Sequence, residues 1–224
     1  RRQGNMKDFC DLIRLGQSLN IAHIIGGYPC EPADVPANIR HLKAESETIK
    51  LSDKGAFGYS LGYYRIQDSM EMARISRGIT MEQMRAEPSV MTTVNANSPL
   101  QYDIPILIGM IEMAKMGQPV NVTPFTLAGA MAPVTLAGAL SQQNAEALAG
   151  IAFMQAVNPG APAWYGGFTS NVDMKSGTPA VGTPEYSKAV LVGGQLTRKY
   201  GLPYRSSNIN ASNAPDAQSA YESQ

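Results

Sequence analysis

Short strand-like runs alternate along this chain with longer runs whose apolar residues recur at helical spacing, and this alternation constrains the fold more than any other feature. Phe9, Leu12, Ile13, Leu15 and Leu19 place a helix over Asp8–Leu19. Ile21–Ile25, closed by Gly26-Gly27, reads as a buried strand, and Pro36 opens a helix running to about Ser46. Thr48–Leu51 reads as a weaker strand, followed by a Gly/aromatic loop from Asp53 to Gly62. Helices are expected over Ile66–Ser76 and Met81–Ala86. The second half is clearer. Strands at Val90–Val94, Val120–Val122, Ala163–Tyr165 and Leu202–Arg205 each run into a polar loop. Helices follow over Ile104–Met116, Val134–Val157 and Pro184–Tyr200, and Pro215 opens a terminal one. Such alternation, about six β-α units at roughly 35-residue spacing, implies a parallel sheet covered by helices.

Two α/β architectures satisfy that pattern. A G-x-G-x-x-G fingerprint after the first strand would favour an open doubly wound sheet, but Gly26-Gly27-Tyr28-Pro29 does not fit its spacing. Long polar loops after the strands match the catalytic face of a (β/α)8 TIM barrel, and that is the fold expected here. The chain opens on Arg1-Arg2-Gln3-Gly4 and closes on helix formers up to Gln224, with no stop signal. Residues 1–224 therefore read as one incomplete barrel domain of a longer chain. The missing strands would leave open sheet edges, so a dimer or larger homo-oligomer is expected.

Composition narrows the function. The chain has 18 Lys+Arg and 18 Asp+Glu, and this zero balance argues against nucleic acid or a polybasic membrane contact. Only 16% of residues are charged, well below the usual ~25%, while 44% are hydrophobic, which excludes a disordered chain. No basic n-region precedes an apolar run, and no 18-residue apolar window exists. Cys10 and Cys30 are too few for a disulfide framework and read as reduced buried thiols of a cytoplasmic protein.

In a barrel the chemistry sits at the C-terminal ends of the strands. Those positions hold amides, hydroxyls and aromatics, with Asp173 the nearby carboxylate and neither His nor Cys. His23 reads as a core histidine inside the first strand and His41 as a surface residue. No cluster has metal-ligand spacing, and no G-x-S-x-G elbow supports a Ser-His-Asp triad. Phe125, Trp164, Tyr165 and Phe168, with Tyr28 and Tyr204, either box a cation through their ring quadrupoles or fill the barrel layers. Trp164 and Tyr165 are adjacent on a strand, so they face opposite sides. Arg205 either clamps a carboxylate or staples the rim in an ion pair. Asn95, Asn97, Ser206, Ser207 and Asn208 either hydrogen-bond a large polar cofactor or serve as turn residues. This inventory suits an enzyme whose cofactor carries the hard chemistry.

Several segments resemble one family in the same order. They are Thr123-Pro124-Phe125-Thr126-Leu127-Ala128-Gly129-Ala130-Met131-Ala132-Pro133-Val134-Thr135, Trp164-Tyr165-Gly166-Gly167-Phe168, Gly201-Leu202-Pro203-Tyr204-Arg205-Ser206-Ser207, and Pro215-Asp216-Ala217-Gln218-Ser219-Ala220-Tyr221-Glu222-Ser223. Together they resemble the trimethylamine:corrinoid methyltransferases, whose members are about twice this length. The resemblance implies a (β/α)8 barrel that moves a methyl group from a methylated amine to Co(I) of a separate corrinoid protein. Archaeal trimethylamine enzymes carry pyrrolysine at a position that falls after the segment matched by Asp216–Ser223. Many bacterial relatives lack it, and some act on glycine betaine or other quaternary amines. The positive charge of the amine helps it leave, so the implied chemistry needs no strong base. The resemblance gives Phe125, Trp164, Tyr165 and Phe168 as the ammonium box and Arg205 as a carboxylate clamp for a betaine. It gives Asn95, Asn97, Ser206, Ser207 and Asn208 as polar contacts to substrate or to the corrinoid (cobalamin). A catalytic residue is not assigned, and no protein-ligated metal is expected. The competing expectations are a (β/α)8 lyase or aldolase using Arg205 as anion clamp, and a non-catalytic quaternary-amine or corrinoid-binding module. Lys175 and Lys188 are poor Schiff-base candidates, one in a loop and one on a helix.

Overall fold

The computed structural model describes residues 2–212 and 214–223, so Arg1, Asn213 and Gln224 lie outside the described residues. The expected alternation is present. Strands β1 (Ala56–Phe57), β2 (Val90–Val94), β3 (Val120–Val122), β5 (Ala163–Gly166) and β7 (Tyr204–Arg205) form one sheet in that order, and the pairs β1–β2 and β5–β7 are parallel. Strands β4 (Phe125–Ala128) and β6 (Phe168–Asn171) form a separate parallel pair. The fold is α/β with a five-stranded parallel sheet. Among the described residues that sheet does not close into a barrel.

The chain divides into two compact units. The first holds residues 1–92, 104–120 and 157–162, and the second holds 93–103, 121–156 and 163–224. In the first unit, helices α1 (Met6–Ser18) and α2 (Arg40–Leu51) bury Phe9, Ile13 and Ala44 against each other, with Ile25, Tyr28 and Leu51 around them. Asn5 caps α1 by accepting from the Asp8 amide, which satisfies one of the orphan donors of a helix start. Helix α3 (Tyr63–Arg77) ends at Gly78, whose φ of 63° suits a residue without Cβ. Thr80 and Gln83 close a reciprocal capping box on α4 (Met81–Ala86). Gln118 is fully buried and fully used. Its oxygen accepts from the amides of Ser89 and Val90, and its nitrogen donates to the carbonyls of Met84 and Met116. Helix α5 (Ile104–Lys115) packs on α3.

In the second unit, α6 (Leu136–Val157) and α7 (Pro184–Tyr200) are the long helices. Thr183 caps α7 with Pro184 at its first position, and Gly201 ends it in the left-handed region. A short helix α8 (Ala217–Glu222) is capped by Asp216, which accepts from the Ser219 amide.

Several expectations are corrected. Ile21–Ile25 forms no strand, because only Ile24 finds a partner, a single bridge to Gly55, and Ile21 is 86% exposed. Thr48–Leu51 completes α2. The Thr48 hydroxyl donates to the Ala44 carbonyl within the helix, and Leu51 reaches the Phe9 cluster. The expected loops 53–62, 123–133 and 166–183 each contain a strand, β1, β4 and β6. His23 is exposed, since the strand meant to bury it is missing. His41 is buried instead, with Nε2 2.9 Å from Asp68 Oδ2. Cys10 and Cys30 are unbridged and only half-buried. Among the described residues no helix is long and apolar enough to cross a membrane.

Gly109 sets the distance at which α5 meets the loop after β1. A Cβ there would overlap the backbone carbonyl of Ser60, which has no rotamer to move. Alanine at a helix interior otherwise gains up to ~1 kcal/mol over glycine, while overpacking costs about 1–3 kcal/mol. Gly109→Ala is expected to destabilise the protein by ~1–2 kcal/mol. A lowered midpoint in urea denaturation checks this, and an unchanged or raised midpoint contradicts it.

Candidate functional site

One face of the sheet in the second unit collects the polar strand-end groups. The Asn121 amide donates to Thr93 Oγ1 at 3.2 Å, so both project to the same side. Thr123 follows two residues on and shares that side. A Cβ on Gly166 would collide with the Thr123 side chain, which places Gly166 on the same face. Trp164, two residues earlier, therefore faces this side too. Arg205 pairs in register with Gly166 and joins them. The result is a row of hydroxyl, amide, indole and guanidinium groups. Asn121 Oδ1 and Thr123 Oγ1 are buried acceptors without a partner among the described residues.

Tyr165 points the other way. It is fully buried, with its ring 6.5 Å from Tyr200 and 6.3 Å from Tyr204. Its hydroxyl donates to Asn144 Oδ1 at 3.2 Å and accepts from Gln143 Nε2 at 3.4 Å. Burial pushes that hydroxyl up to about 12, which keeps it a neutral donor. The structure thus separates Tyr165 from Trp164, as strand geometry requires.

Phe125 and Phe168 are brought together by the β4–β6 register, which sets them opposite each other. Their rings stack at 4.6 Å and 20°, and Tyr186 lies 5.5 Å from Phe168. Beneath them Thr126 and Thr169 share a hydrogen bond, and Thr169 donates to Gln143 Oε1 at 2.6 Å. These three polar side chains are buried and satisfy one another, so the aromatic pair sits on a rigid polar base.

The loop after β2 is held by Glu146 of α6. Its carboxylate accepts from the Ser98 hydroxyl at 2.6 Å, the Leu100 amide at 2.8 Å and the Gln142 amide at 2.9 Å. Its backbone carbonyl accepts from the Tyr102 hydroxyl at 2.8 Å. Leu100 has a φ of 58°, a costly region for a residue with a Cβ, and the charge-assisted bond at its amide offsets that cost. Asn97 Oδ1 accepts from the Asp103 amide at 2.9 Å within the same loop. Asn95 is exposed, and its carboxamide has no hydrogen-bond partner among the described residues.

The remaining candidates follow β7. Ser206 donates to the Gly167 carbonyl at 3.2 Å, and Asn208 donates to Ser223 at 2.8 Å. Ser207 is half-buried, and Arg205 is exposed. Sequence reasoning missed Glu146, Gln143, Thr126, Thr169, Asn121 and Tyr186. A signal existed for Glu146, which is the one charged residue in the 22-residue helix LAGALSQQNAEALAGIAFMQAV. Among the described residues no His/Cys/Asp/Glu group is placed to hold a metal ion.

An α/β domain with a parallel sheet, whose strand-end face is aromatic and amide-rich, defines the class. The chain matches the model of the trimethylamine methyltransferase family over residues 1–224, and it belongs to that family. It is 38% identical over 224 residues to a glycine betaine methyltransferase of Desulfitobacterium hafniense, covering all of this chain and 47% of that protein. It is 34% identical over 166 residues to a trimethylamine methyltransferase of Methanosarcina barkeri, covering 74% of this chain and 32% of that protein. A proline betaine:corrinoid methyltransferase of Eubacterium limosum is 34% identical over 137 residues, or 61% of this chain and 28% of that protein. The chain spans about half the length, or less, of these relatives.

Removing the Glu146 carboxylate would leave two donors of the loop, the Ser98 hydroxyl and the Leu100 amide, without their acceptor. Glu146→Ala is expected to cost about 2–4 kcal/mol and to speed amide exchange at Leu100 before global unfolding. Native-state hydrogen exchange reads this directly. Unchanged protection at Leu100 would show that the carboxylate does not hold the loop.

Proposed function

We propose that this chain serves a corrinoid-dependent methyltransferase, which moves a methyl group from a methylated or quaternary amine to the cobalt of a corrinoid protein. The observation that carries this reading is the family match over the whole chain, with relatives named for glycine betaine, trimethylamine and proline betaine. The five-stranded sheet is then read as part of a (β/α)8 barrel. Each strand lies beside its predecessor in the sheet as it would in a barrel wall, and the strand-end face is the reaction face.

The side chains support that chemistry. The stacked Phe125–Phe168 pair offers ring faces to an ammonium group, and Trp164 adds an indole on the sheet face. Arg205 is exposed on the same sheet face as Trp164 and suits the carboxylate of a betaine. Tyr165 acts from behind, holding Gln143 and Asn144, rather than as a wall of the box. The corrinoid supplies the methyl acceptor when its carrier protein docks. The open Asn95 carboxamide, with Ser207, fits the hydrogen-bonding needs of a large amide-bearing group. Asn97, Ser206 and Asn208 already spend a bond within the fold, on the Asp103 amide, the Gly167 carbonyl and the Ser223 hydroxyl. The orphan acceptors Asn121 Oδ1 and Thr123 Oγ1 have bonding capacity to offer a ligand on the same face. No proton needs to be moved by the protein where the substrate nitrogen is quaternary or already protonated, because the amine then departs neutral.

The test is methyl transfer to reduced cobalamin by the longer protein carrying this chain, with trimethylamine, glycine betaine, proline betaine and carnitine as donors. At least one should methylate cobalt, and failure of all of them would overturn the reading. With an active donor in hand, Phe125→Ala should raise KM by about tenfold through loss of ring contact with the cation. Arg205→Ala should impair only donors that carry a carboxylate, by about tenfold to a hundredfold in kcat/KM. Equal loss with trimethylamine would deny Arg205 its clamp role.

A further inference from the structure

The first unit holds a cavity of about 780 Å³, within the size range of small-molecule sites. It is lined wholly by residues of that unit, and the strand-end face just described contributes nothing to it. Its buried wall carries Glu45 of α2, which is 7% exposed, and Ser69 of α3, which is 2% exposed. The Ser69 hydroxyl donates to Glu45 Oε1, and the same Ser69 oxygen accepts from the Tyr59 amide at 3.1 Å. Phe57 and Tyr59 also line the cavity, with rings 6.2 Å apart at 77°. Tyr28 backs Tyr59 in a stack at 4.6 Å, and the Tyr59 hydroxyl donates to the Gly27 carbonyl. The carboxylate and the rings are therefore fixed by the fold.

A buried carboxylate needs a cation or several donors to stay ionised. The cations at the cavity rim are already engaged elsewhere. Lys50 pairs with Glu47, Arg77 with Glu87, and Lys54 donates to the carbonyls of Leu19 and Ala22. Burial pushes the Glu45 carboxyl up to about 7, and the nearby Asp68 adds to the rise. The other titratable and charged groups around it are also named in the fold. His41 lies one turn earlier on α2 and is bonded to Asp68. Tyr28 and Tyr59 come from the loop side, and Arg40 and Arg65 act on Tyr28. None of these side chains pairs with the Glu45 carboxylate, which besides Ser69 has the Tyr59 backbone amide as a donor.

We propose that this cavity is a binding site for a small alkylated ammonium ion, with Glu45 as its counter-ion and Phe57 and Tyr59 as its aromatic walls. A carboxylate supplies the charge, and ring faces attract methyl groups that carry positive charge. The rings favour an organic cation, since a metal ion would give up hydrating water against them with nothing in exchange. No residue of the strand-end face lines the site, and its occupancy needs neither methyl acceptor nor turnover.

The test is calorimetric titration of the 224-residue chain with tetramethylammonium chloride at constant ionic strength, from pH 6 to pH 8.5. The probe carries a fixed charge, so only the protein titrates. The ionised carboxyl binds, so affinity should fall about tenfold from pH 8 to pH 6 and level off above pH 8. Proton release at pH 7 should appear as a buffer-dependent heat. Glu45→Gln keeps the shape and the bond from Ser69, and should bind about tenfold more weakly at pH 8 with a flat pH profile. No binding by the unaltered chain, a flat profile for it, or equal binding by E45Q would each overturn the proposal. If E45Q does not fold, the pH series on the unaltered chain decides alone. Failure of methyl transfer would leave these results untouched, so the two readings fall separately.

Discussion

A carboxylate on an otherwise uncharged helix holds the loop that follows β2. Glu146 sits 2% exposed in the alanine-rich α6 and gathers three donors, two of them from the loop that follows β2. That loop would otherwise be polar chain with little to bury. Because its acceptor is buried and charged, the donors cannot wander without leaving a costly unpaired group. Leu100 accepts an unfavourable backbone conformation as a result, and Asn97 spends its side-chain oxygen on the Asp103 amide. Asn95, at the end of β2, is left outward as a consequence. The position of one side chain open to a ligand thus follows from a carboxylate fifty-odd residues later in the chain.

What sequence showed and what it hid divide along a physical line. Elements with their own signals were legible. Helix α7 carries Thr183, Pro184 and Gly201 at its ends, and β2 is a β-branched run bounded by Pro88 and Asn95. Parallel strands need covering helices between them, so the α/β class followed from the alternation. Elements defined by a partner were not legible. Ile21–Ile25 has strand composition, yet only Ile24 meets a neighbour. Conversely β4 and β6 look like loops, because Phe125-Thr126-Leu127-Ala128 and Phe168-Thr169-Ser170-Asn171 become strands only through each other. The same holds for His41, whose burial depends on Asp68 from a different helix.

The candidate site was legible in residue type more than in arrangement. Period-two geometry alone told that Trp164 and Tyr165 diverge, and they do. It could not tell that Tyr165 meets Gln143 and Asn144, since both lie on a helix whose rotation about the sheet is set by packing. Nor could it pair Phe125 with Phe168, forty-three residues apart, before the β4–β6 register was known. Asn121 escaped notice because a polar residue inside a short buried strand reads as a tolerated exception. The unpartnered oxygens of Asn121 and Thr123 show instead that β3 presents acceptors to the same face as Trp164 and Arg205.

Each unit buries a carboxylate, but Glu146 of the second meets three donors while Glu45 of the first meets fewer, and this bears on what each unit can bind. In the second unit, buried polar side chains answer one another, as Thr126, Thr169, Gln143 and Tyr165 do in sequence. Such a network is rigid and neutral, which suits a surface that orients a ligand already carrying its own charge. In the first unit, Glu45 is buried beside one hydroxyl, one backbone amide and no cation, so its ionised form is under-supported. A group in that condition gains most from a positive ligand, because binding repays the desolvation that the fold has already imposed. Aromatic walls then decide which cations qualify. A strongly hydrated metal ion loses water against phenyl and phenol rings with nothing to replace it, whereas an alkylated ammonium has little hydration to lose.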